Sequence, residues 1–259
     1  ISVTGVQTCA LPISVDRWWL YATGTTVASV AQVAGPTGYR YATQITGAAG
    51  NTQTALVQRI ESYNCSDLSG QTITIQANIS VSSAQTVQWG LNYATAQDNF
   101  ASLTLITTGT WSATTTATTF TATITGLPSG VTNGLQLAIS PQNNGAFTSG
   151  TITITGVQLE LGSVATPFEV RSQGTELALC QRYYYTNPNN IVYQAYQGAS
   201  QSAFFYWFFP VQMRATPTVS GNIYVNFCTA SITATPQFVA INLSISSAGS
   251  FQSTWNANN

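Results

Sequence analysis

The stretch ITITGVQLEL, residues 152–161, decides the fold that the sequence predicts. Its apolar residues alternate with polar ones, as they do in a β-strand that buries one face. The alternation breaks once, near Gly156, and a glycine at such a break predicts a β-bulge that bends the strand as it closes a sandwich. Because Pro167 has no N–H to donate to a sheet, we expect it to end the strand.

The same alternation recurs through the residues that precede this stretch. It is clearest in TITIQANISV, residues 72–81, and turn-forming segments such as GLPSG, residues 126–130, separate one run from the next. Neither a heptad repeat nor a long helical pattern accompanies these runs. The sequence therefore predicts an all-β fold, with nine or ten short strands forming a two-sheet sandwich. The candidate strands are residues 18–22, 27–33, 39–46, 55–61, 72–81, 86–93, 102–107, 119–125, 135–140 and 151–161.

A second, smaller β-sandwich-like domain is predicted at the C-terminal end, with strands at 191–196, 203–211, 218–227, 238–246 and 251–255. It contains six consecutive aromatic residues, FFYWFF at 204–209. Six aromatics in a row cannot alternate with polar residues, so both faces of that strand are expected to be covered. One face fits the core of the domain itself. The other is expected to meet a second sheet, the jelly roll or neighbouring subunits.

Three segments carry a resemblance to known proteins. VQRIESYNCSDLSGQTITIQANISV, residues 57–81, resembles the central strands of jelly-roll carbohydrate-binding modules in phage tail proteins. TGVQLELGSVATPFE at 155–169, followed by GTELALCQRYYY at 174–185, resembles the joint between such a module and a C-terminal β domain in phage tail fibres. FFYWFFPVQMRATPTV, residues 204–219, resembles tail-fibre C-terminal domains. The resemblance implies a jelly roll at 15–170, a short helical joint at 171–183 and a C-terminal β domain at 184–259.

The first residues are expected to be foreign to the fold. VTGVQTCALPI, residues 3–13, resembles the translation of a sequencing-library adapter, so residues 1–14 are interpreted as an artefact. A secretory signal is the alternative. It is disfavoured because there is no positively charged start and because Thr8, Cys9 and Pro12 interrupt the apolar run.

Composition excludes several classes of function. Charged residues make up 5% of the chain, the net charge is −1 and there is no lysine, so a cluster of phosphate-neutralising cations is absent and nucleic-acid binding is not expected. No run approaches the roughly 18 apolar residues of a membrane-spanning helix, so membrane insertion is not expected either. Cys65, Cys180 and Cys228 lack metal-ligand spacing and are predicted to be buried free thiols, as in a protein made in a reducing cytoplasm.

Catalysis is not expected. Without histidine or lysine, nucleophilic triads, histidine-ligated metals, Schiff bases and phosphate-gripping loops are all excluded. Paired carboxylates for glycoside hydrolysis remain formally possible, with Glu61 and Asp98 as the candidate pair. No cofactor is predicted, although a structural Ca²⁺ ion with hard oxygen ligands from Asp16, Asp67 or Glu169 stays open.

Sugar binding requires only aromatic rings for the apolar faces of pyranoses and amides or carboxylates for the hydroxyls. The candidate carbohydrate-binding residues are Trp111, Trp89, Tyr93, Asn92 and Asp98. Trp89 and Tyr93 share one strand face with Leu91, which favours a core position for that face. Trp111, flanked by polar residues, is the better candidate for an exposed ring. Trp18 and Trp19 must point to opposite faces, so one of them is expected to be buried.

Two hypotheses from different classes follow. In the first, the chain is a non-enzymatic virion component of a phage tail fibre that binds a host-surface glycan through its jelly roll. In the second, it is a purely structural fibre or decoration module that assembles without binding sugar. A secreted accessory module of polysaccharide degradation is a more distant alternative. The family resemblance implies other virion subunits as partners, a homotrimer, and a location in the virion after synthesis in the host cytoplasm.

Overall fold

Antiparallel β-strands form most of the regular structure of this protein. The computed structural model describes residues 3–4, 18–170, 172–185, 191–197, 202–219, 222–225, 228–245 and 249–256. The chain divides into a first unit, Ile1–Ser172, and a second unit, Gln173–Asn259. Within the described residues, no helix is long and apolar enough to cross a membrane.

The first unit contains two antiparallel sheets. Sheet I has the strand order β3-β4-β11-β6-β9, with β1 also paired to β11, and sheet II has the order β2-β5-β10-β7-β8. The strands are β1 (Val3–Thr4), β2 (Trp18–Gly24), β3 (Ser29–Ala34), β4 (Tyr41–Thr46), β5 (Asn51–Glu61), β6 (Ile73–Val81), β7 (Gln85–Ala96), β8 (Asn99–Ala113), β9 (Thr118–Ile124), β10 (Gly134–Ser140) and β11 (Thr151–Leu161).

This arrangement is a jelly-roll β-sandwich, as predicted. Consecutive strands repeatedly change sheet: β6 of sheet I lies between β5 and β7 of sheet II in the chain, and β10 crosses back after β9. All ten predicted strands are present, and several are longer than the alternation indicated. The strand β8 differs most, because it runs to Ala113 whereas the prediction ended at residue 107. Of the expected artefact at 1–14, only Val3 and Thr4 lie within the described residues.

The core lies between the two sheets and is formed by the inward-facing half of each strand. Ile73, Ile75 and Ile79 of β6 are fully buried, and so are Leu135 and Ile139 of β10. Each such side chain contributes about 1.5–3 kcal/mol by leaving water. The alternating pattern of these strands therefore sets which face of each sheet meets the other and which face is turned outward.

Strand β11, from which the fold was predicted, has the expected bulge in its middle but ends earlier than expected. The register of β11 shifts between Thr155 and Gln158, and Gly156 has a φ of +56°, so the predicted bulge is confirmed. A Cβ at Gly156 would lie 2.5 Å from Tyr39 Oη, so only glycine fits. The strand ends at Leu161 and not at Pro167. Gly162 turns the chain with a φ of +113° and donates its N–H to Thr72 O.

The segment after β11 is tied back to the outer face of sheet I. Glu160 is buried, and its carboxylate accepts two hydrogen bonds from Thr166, one from the backbone N–H at 2.8 Å and one from Oγ1 at 2.6 Å. Gln158 adds a bond from its Nε2 to Thr166 Oγ1. Residues 155–169, the segment that resembles the joint of phage tail fibres, are therefore held together by hydrogen bonds within the first unit.

The described residues of the second unit form one helix and two three-stranded antiparallel sheets, with the orders β12-β17-β14 and β13-β16-β15. This confirms a smaller β domain of sandwich type. The predicted strands at 203–211 and 218–227 are shorter than expected, and the sequence missed β15. The elements are α1 (Gln173–Gln181), β12 (Ile191–Gln197), β13 (Ser202–Phe208), β14 (Asn222–Val225), β15 (Cys228–Ala234), β16 (Phe238–Ile245) and β17 (Gly249–Asn256).

Only one face of the aromatic strand β13 is covered. Ala203 is buried and Phe205 and Trp207 are half-buried, whereas Phe204, Tyr206 and Phe208 are 58%, 55% and 67% exposed. The expectation that both faces are covered is therefore not met within the described residues of the second unit. The three exposed rings form one uncharged aromatic face on the outer side of the sheet.

The cysteines do not all behave as predicted. Cys65 is a free, fully buried thiol, and burial raises its pKa to about 12. Cys180, however, is disulfide-bonded. The prediction of free thiols is therefore wrong for Cys180, because sequence spacing does not reveal which sulfurs the fold brings together.

Candidate functional site

The five predicted carbohydrate-binding residues do not form one site. Trp89, Leu91 and Tyr93 lie opposite Ile139, Leu137 and Leu135 of β10, so they share the inner face of sheet II, as the period of two predicted. Trp89 and Leu91 are buried in the core, whereas Tyr93 is half-buried. The prediction that this face is core is confirmed.

Trp111 is buried, with an exposed fraction of 6%, so the expectation that it is exposed is wrong. It lies opposite Val87 near the end of β8, stacks on Phe120 with ring centroids 5.9 Å apart, and donates its Nε1–H to Thr121 O at 3.3 Å. The polar flanks Thr110 and Ser112 face outward from the same strand. The polar residues on either side of Trp111 therefore indicate a strand with one solvent-exposed face, and not a loop.

Asp98 has a structural role. Its Oδ1 accepts the backbone N–H of Ser62 at 2.8 Å, and its Oδ2 accepts the Ser62 hydroxyl at 3.0 Å. Asp98 also has a φ of +53° in the tight turn between β7 and β8. A carboxylate held in this way fixes a turn and is separated from the predicted aromatic residues.

A cleft lies along one edge of the sandwich, between strands β8 and β9. Its volume is roughly 580 Å³, and Trp89 and Tyr93 contribute to its wall together with Thr107, Thr123 and Pro128. The sheets are held together next to this cleft by Trp111, through its stack on Phe120. The cleft is thus uncharged, but its two predicted aromatics belong mainly to the core.

The outer face of sheet II has a different character. Trp19, Val57, Ala138, Gly90 and Thr108 lie directly opposite one another across the five strands. The three central residues are small, and we call them the floor: Val57, Ala138 and Gly90. A Cβ at Gly90 would meet nothing closer than Thr108 Cγ2 at 3.6 Å, so the space above Gly90 is open. Ala138 is half-buried, whereas Val57 is covered, with only 3% of its surface exposed.

Aromatic rings stand at the β2 edge of the floor. Trp19 contacts Tyr21 edge to face, with ring centroids 5.8 Å apart, and Tyr21 is 38% exposed. Within the described residues, the Nε1–H of Trp19 is shielded from solvent and has no hydrogen-bond partner. Trp19 therefore offers carbon surface to a ligand, and not a hydrogen bond. Its neighbour Trp18 is buried in the core, so the expectation that one of the two is buried is confirmed.

A polar row runs beside the floor. Arg59, Gln136, Asn92 and Leu105 lie opposite one another, and Arg59 Nε–H donates to Gln136 Oε1 at 3.0 Å. The Arg59 guanidinium carbon lies 4.9 Å from the Trp19 ring centroid and 5.1 Å from that of Phe100. Burial lowers the pKa of Arg59. Asn92 is the one predicted binding residue on this face.

Five residues of this face were missed from the sequence: Trp19, Tyr21, Arg59, Phe100 and Gln136. The signal that was available is the pair Trp18-Trp19, because alternation puts one ring on each face of β2. Choosing Trp19 as the outward ring requires the pairing of Trp18 with Gln58 and of Trp19 with Val57, which local sequence does not contain. We take the outer face of sheet II as the candidate functional site.

No metal site emerges from the residues that the structure describes. No three of their histidine, cysteine, aspartate or glutamate side chains come close enough together to hold an ion. Of the three acids considered for Ca²⁺, Asp67 accepts a hydrogen bond from Ser66 Oγ at 3.3 Å, and Asp16 lies outside the described residues. The candidate site is therefore built from aromatic, amide and guanidinium groups.

Several solved structures resemble this chain, although no family model and no curated protein matches it. A CBM4 carbohydrate-binding module matches with a TM-score of 0.42 and 21% identity over 57% of this chain and 88% of that chain. The enzymatically active domain of tailspike protein 4 from bacteriophage CBA120 matches with a TM-score of 0.41 and 15% identity, over 56% of this chain and 19% of that one. The CBM22-1 xylan-binding domain of Xyn10C from Paenibacillus barcinonensis matches at 0.38 and 12%, over 56% and 87%. Similarity at this level assigns no ligand to this chain.

Proposed function

We propose that the first unit binds a glycan on the outer face of sheet II, and that the chain is a non-enzymatic component of a phage tail fibre. One observation carries the binding half of the proposal. Sheet II has an outer face that is open above Gly90 and carries aromatic carbon at β2, and beside the floor lie the polar side chains of Arg59 and Asn92.

The chemistry of this face suits a pyranose ring. A pyranose presents an apolar C–H surface that stacks on aromatic rings, and its edge carries hydroxyls that exchange hydrogen bonds with amides. Tyr21 and Trp19 supply the aromatic surface, Asn92 supplies an amide, and the largely buried Gln136 holds Arg59 in place. The five strands of the sheet fix all of these groups in place, so binding orders few side chains.

Two observations support a function without catalysis. The sequence has no histidine and no lysine, which removes most acid–base and nucleophilic mechanisms. Of the candidate carboxylate pair, Asp98 has both oxygens occupied by Ser62 and serves a turn. The proposed role is recognition of a sugar on a host surface, with the protein located in the virion.

The tail-fibre assignment is supported by sequence resemblance. The segments 57–81, 155–169 with 174–185, and 204–219 each resemble parts of phage tail-fibre and virion proteins. On this proposal, the first unit recognises the host glycan and the second unit contributes to the fibre. Other virion subunits are its partners, and the assembly is a homotrimer.

The exposed aromatic face of β13 favours a second candidate function, which is assembly without sugar binding. Phe204, Tyr206 and Phe208 form an uncharged face that further copies of this chain could cover. In that case the outer face of sheet II would have no ligand. The two functions differ in a single measurable property, namely retention of polysaccharide by the purified protein.

A matched pair of tyrosine variants tests the binding function. Tyr21 on sheet II and Tyr41 on sheet I are 38% and 37% exposed, so replacement by alanine removes similar surface at the site and away from it. On an array of bacterial surface polysaccharides, Tyr21→Ala should weaken binding roughly 5- to 50-fold by loss of one stacking contact. Tyr41→Ala should bind as the unaltered protein does. Absence of binding by the unaltered protein, or equal losses for both variants, would contradict the proposal.

A further inference from the structure

Arg59 occupies an unusual place on the candidate site. Its guanidinium lies between two aromatic rings, 4.9 Å from the Trp19 centroid and 5.1 Å from the Phe100 centroid, and its Nε–H is fixed by Gln136 Oε1 at 3.0 Å. Contacts with two rings and one amide hold the side chain in one orientation. Arginine has five N–H donors in a rigid fork, and the Nε–H is one of them.

The described residues that lie beside Arg59 across sheet II carry no charge. Its neighbours across the sheet are neutral, namely Gln136, Asn92 and Leu105. Burial lowers the pKa of Arg59, so this cation is partly desolvated, and an anion brought by a ligand would stabilise its charged form.

We infer that the glycan bound on the outer face of sheet II carries a carboxylate, as a uronic acid does, and that this carboxylate pairs with the Arg59 guanidinium. The inference rests on the proposed function and names the class of sugar. A carboxylate matches the guanidinium fork with two parallel N–H···O bonds, which are stronger than bonds to a neutral hydroxyl. Trp19 and Phe100 fix the orientation of the Arg59 guanidinium, so little side-chain entropy is lost when it pairs with a carboxylate.

The sign and size of the effect follow from the geometry. A charge-assisted pair on a partly desolvated arginine should favour an acidic saccharide over its neutral analogue by roughly 10- to 100-fold in affinity. Because the site is open to solvent, added salt should weaken the preference. A neutral glycan would show neither effect.

The experiment compares polysaccharides that differ only in charge. Alginate, polygalacturonate and hyaluronate are immobilised beside the same polymers after reduction of their carboxyl groups, together with the bacterial polysaccharide array and dextran sulfate. We expect the unaltered protein to bind at least one carboxylated polymer and to lose roughly 10- to 100-fold in affinity on carboxyl reduction. Dextran sulfate should bind more weakly than the carboxylated polymers, because a sulfate ester is a much weaker base than a carboxylate and accepts weaker hydrogen bonds from the guanidinium.

Two variants assign the effect to Arg59. Arg59→Gln removes the charge and should bind the carboxylated and reduced polymers equally. Arg59→Lys keeps the charge without the fork and should retain only part of the preference. Melting temperatures of both variants confirm folding, and a salt titration of the unaltered protein gives a measurement that needs no variant.

The possible outcomes distinguish a failure of this inference from a failure of the proposed glycan binding. The protein could bind neutral or carboxyl-reduced polymers in a way that depends on Tyr21 and is unaffected by Arg59→Gln. That result would overturn the inference that the ligand carries a carboxylate, and it would leave the proposed glycan binding intact. Equal binding to dextran sulfate and to the carboxylated polymers would also overturn it, since attraction would then follow charge alone. If no polysaccharide is bound, both the inference and the proposed function fail.

Discussion

Gly90 and Gly109 show how single residues divide sheet II into a binding face and a packing face. Gly90 lies on the outer face opposite Thr108, and Gly109 lies on the inner face opposite Trp89. A Cβ at Gly109 would overlap the Trp89 ring, with Cε2 only 2.6 Å away, whereas a Cβ at Gly90 would be in ordinary contact at 3.6 Å. Adding a side chain should therefore have opposite consequences for folding at the two positions.

We predict that Gly90→Val blocks the ligand and leaves the fold intact. Valine would raise the floor where a sugar is proposed to lie, and a β-branched residue suits a strand better than glycine does. Affinity for the bound polysaccharide should fall at least 10-fold, while the melting temperature should stay within a few degrees or rise. Calorimetry and a binding titration on the same preparation measure both quantities.

Gly109→Ala is the matched control for that prediction. Overpacking against Trp89 should cost about 1–3 kcal/mol of unfolding free energy. In a domain of this size, each kcal/mol lowers the melting temperature by roughly 2–4 °C. Binding by the protein that remains folded should be unchanged. Full binding by Gly90→Val would show that the ligand does not use the floor.

At the scale of elements, β8 shows where sequence-based prediction succeeds and where it stops. The alternation of apolar residues placed ten of the eleven described strands of the first unit, all but β1, because each of them buries one face. From residue 107 onward β8 is rich in threonine and glycine, and this composition resembles a loop. The strand continues because β7 pairs with it as far as Gln85–Ala113. Local pattern thus predicts that a strand exists, whereas its length depends on its partner.

The candidate site was less predictable than the strands for a related reason. Its residues come from β2, β5, β7, β8 and β10, and they meet only because of the sheet order. Asn92 was predicted with Trp89 and Tyr93 because these residues are close in sequence, yet it faces the opposite side of the sheet. A face assembled from five distant strands leaves no local motif, so sequence alone identified the fold and one site residue.

The packing role of Trp111 can be tested by substitution. This residue was a candidate for sugar binding, but its burial indicates that it stabilises the core. We predict that Trp111→Ala destabilises the first unit by about 3–5 kcal/mol, through the cavity beside Phe120 and Trp89. Trp111→Phe keeps a ring but loses the bond to Thr121 O, so it should cost only about 1 kcal/mol beyond repacking. Denaturant titration gives both values. Loss of sugar binding at unchanged stability would contradict this assignment.

For the whole molecule, low charge and an exposed aromatic face act in the same direction. With 5% charged residues and a net charge of −1, the surface has little electrostatic repulsion to oppose association. In the second unit, Tyr206 and Phe208 both contact Phe238 edge to face, at 5.3 and 5.7 Å between centroids, so the exposed rings are held as a rigid face. A rigid uncharged face loses little entropy when a second copy covers it.

We therefore predict that the protein associates through this face. Light scattering coupled to size-exclusion chromatography should give a mass that is a multiple of 27.5 kDa, and Tyr206→Ser with Phe208→Ser should return it to 27.5 kDa. The control is Val27→Ser in the first unit, which removes a side chain of similar exposure (52%, against 55% for Tyr206) and should leave the mass unchanged. A single chain at high concentration would contradict the prediction, and so would an oligomer that survives both serine substitutions.

Because the aromatic face and the outer face of sheet II belong to different units, the serine variant should still bind polysaccharide with the affinity of a single site. On a polyvalent surface it should lose only the gain that several linked sites provide, which is about 10²–10⁴-fold.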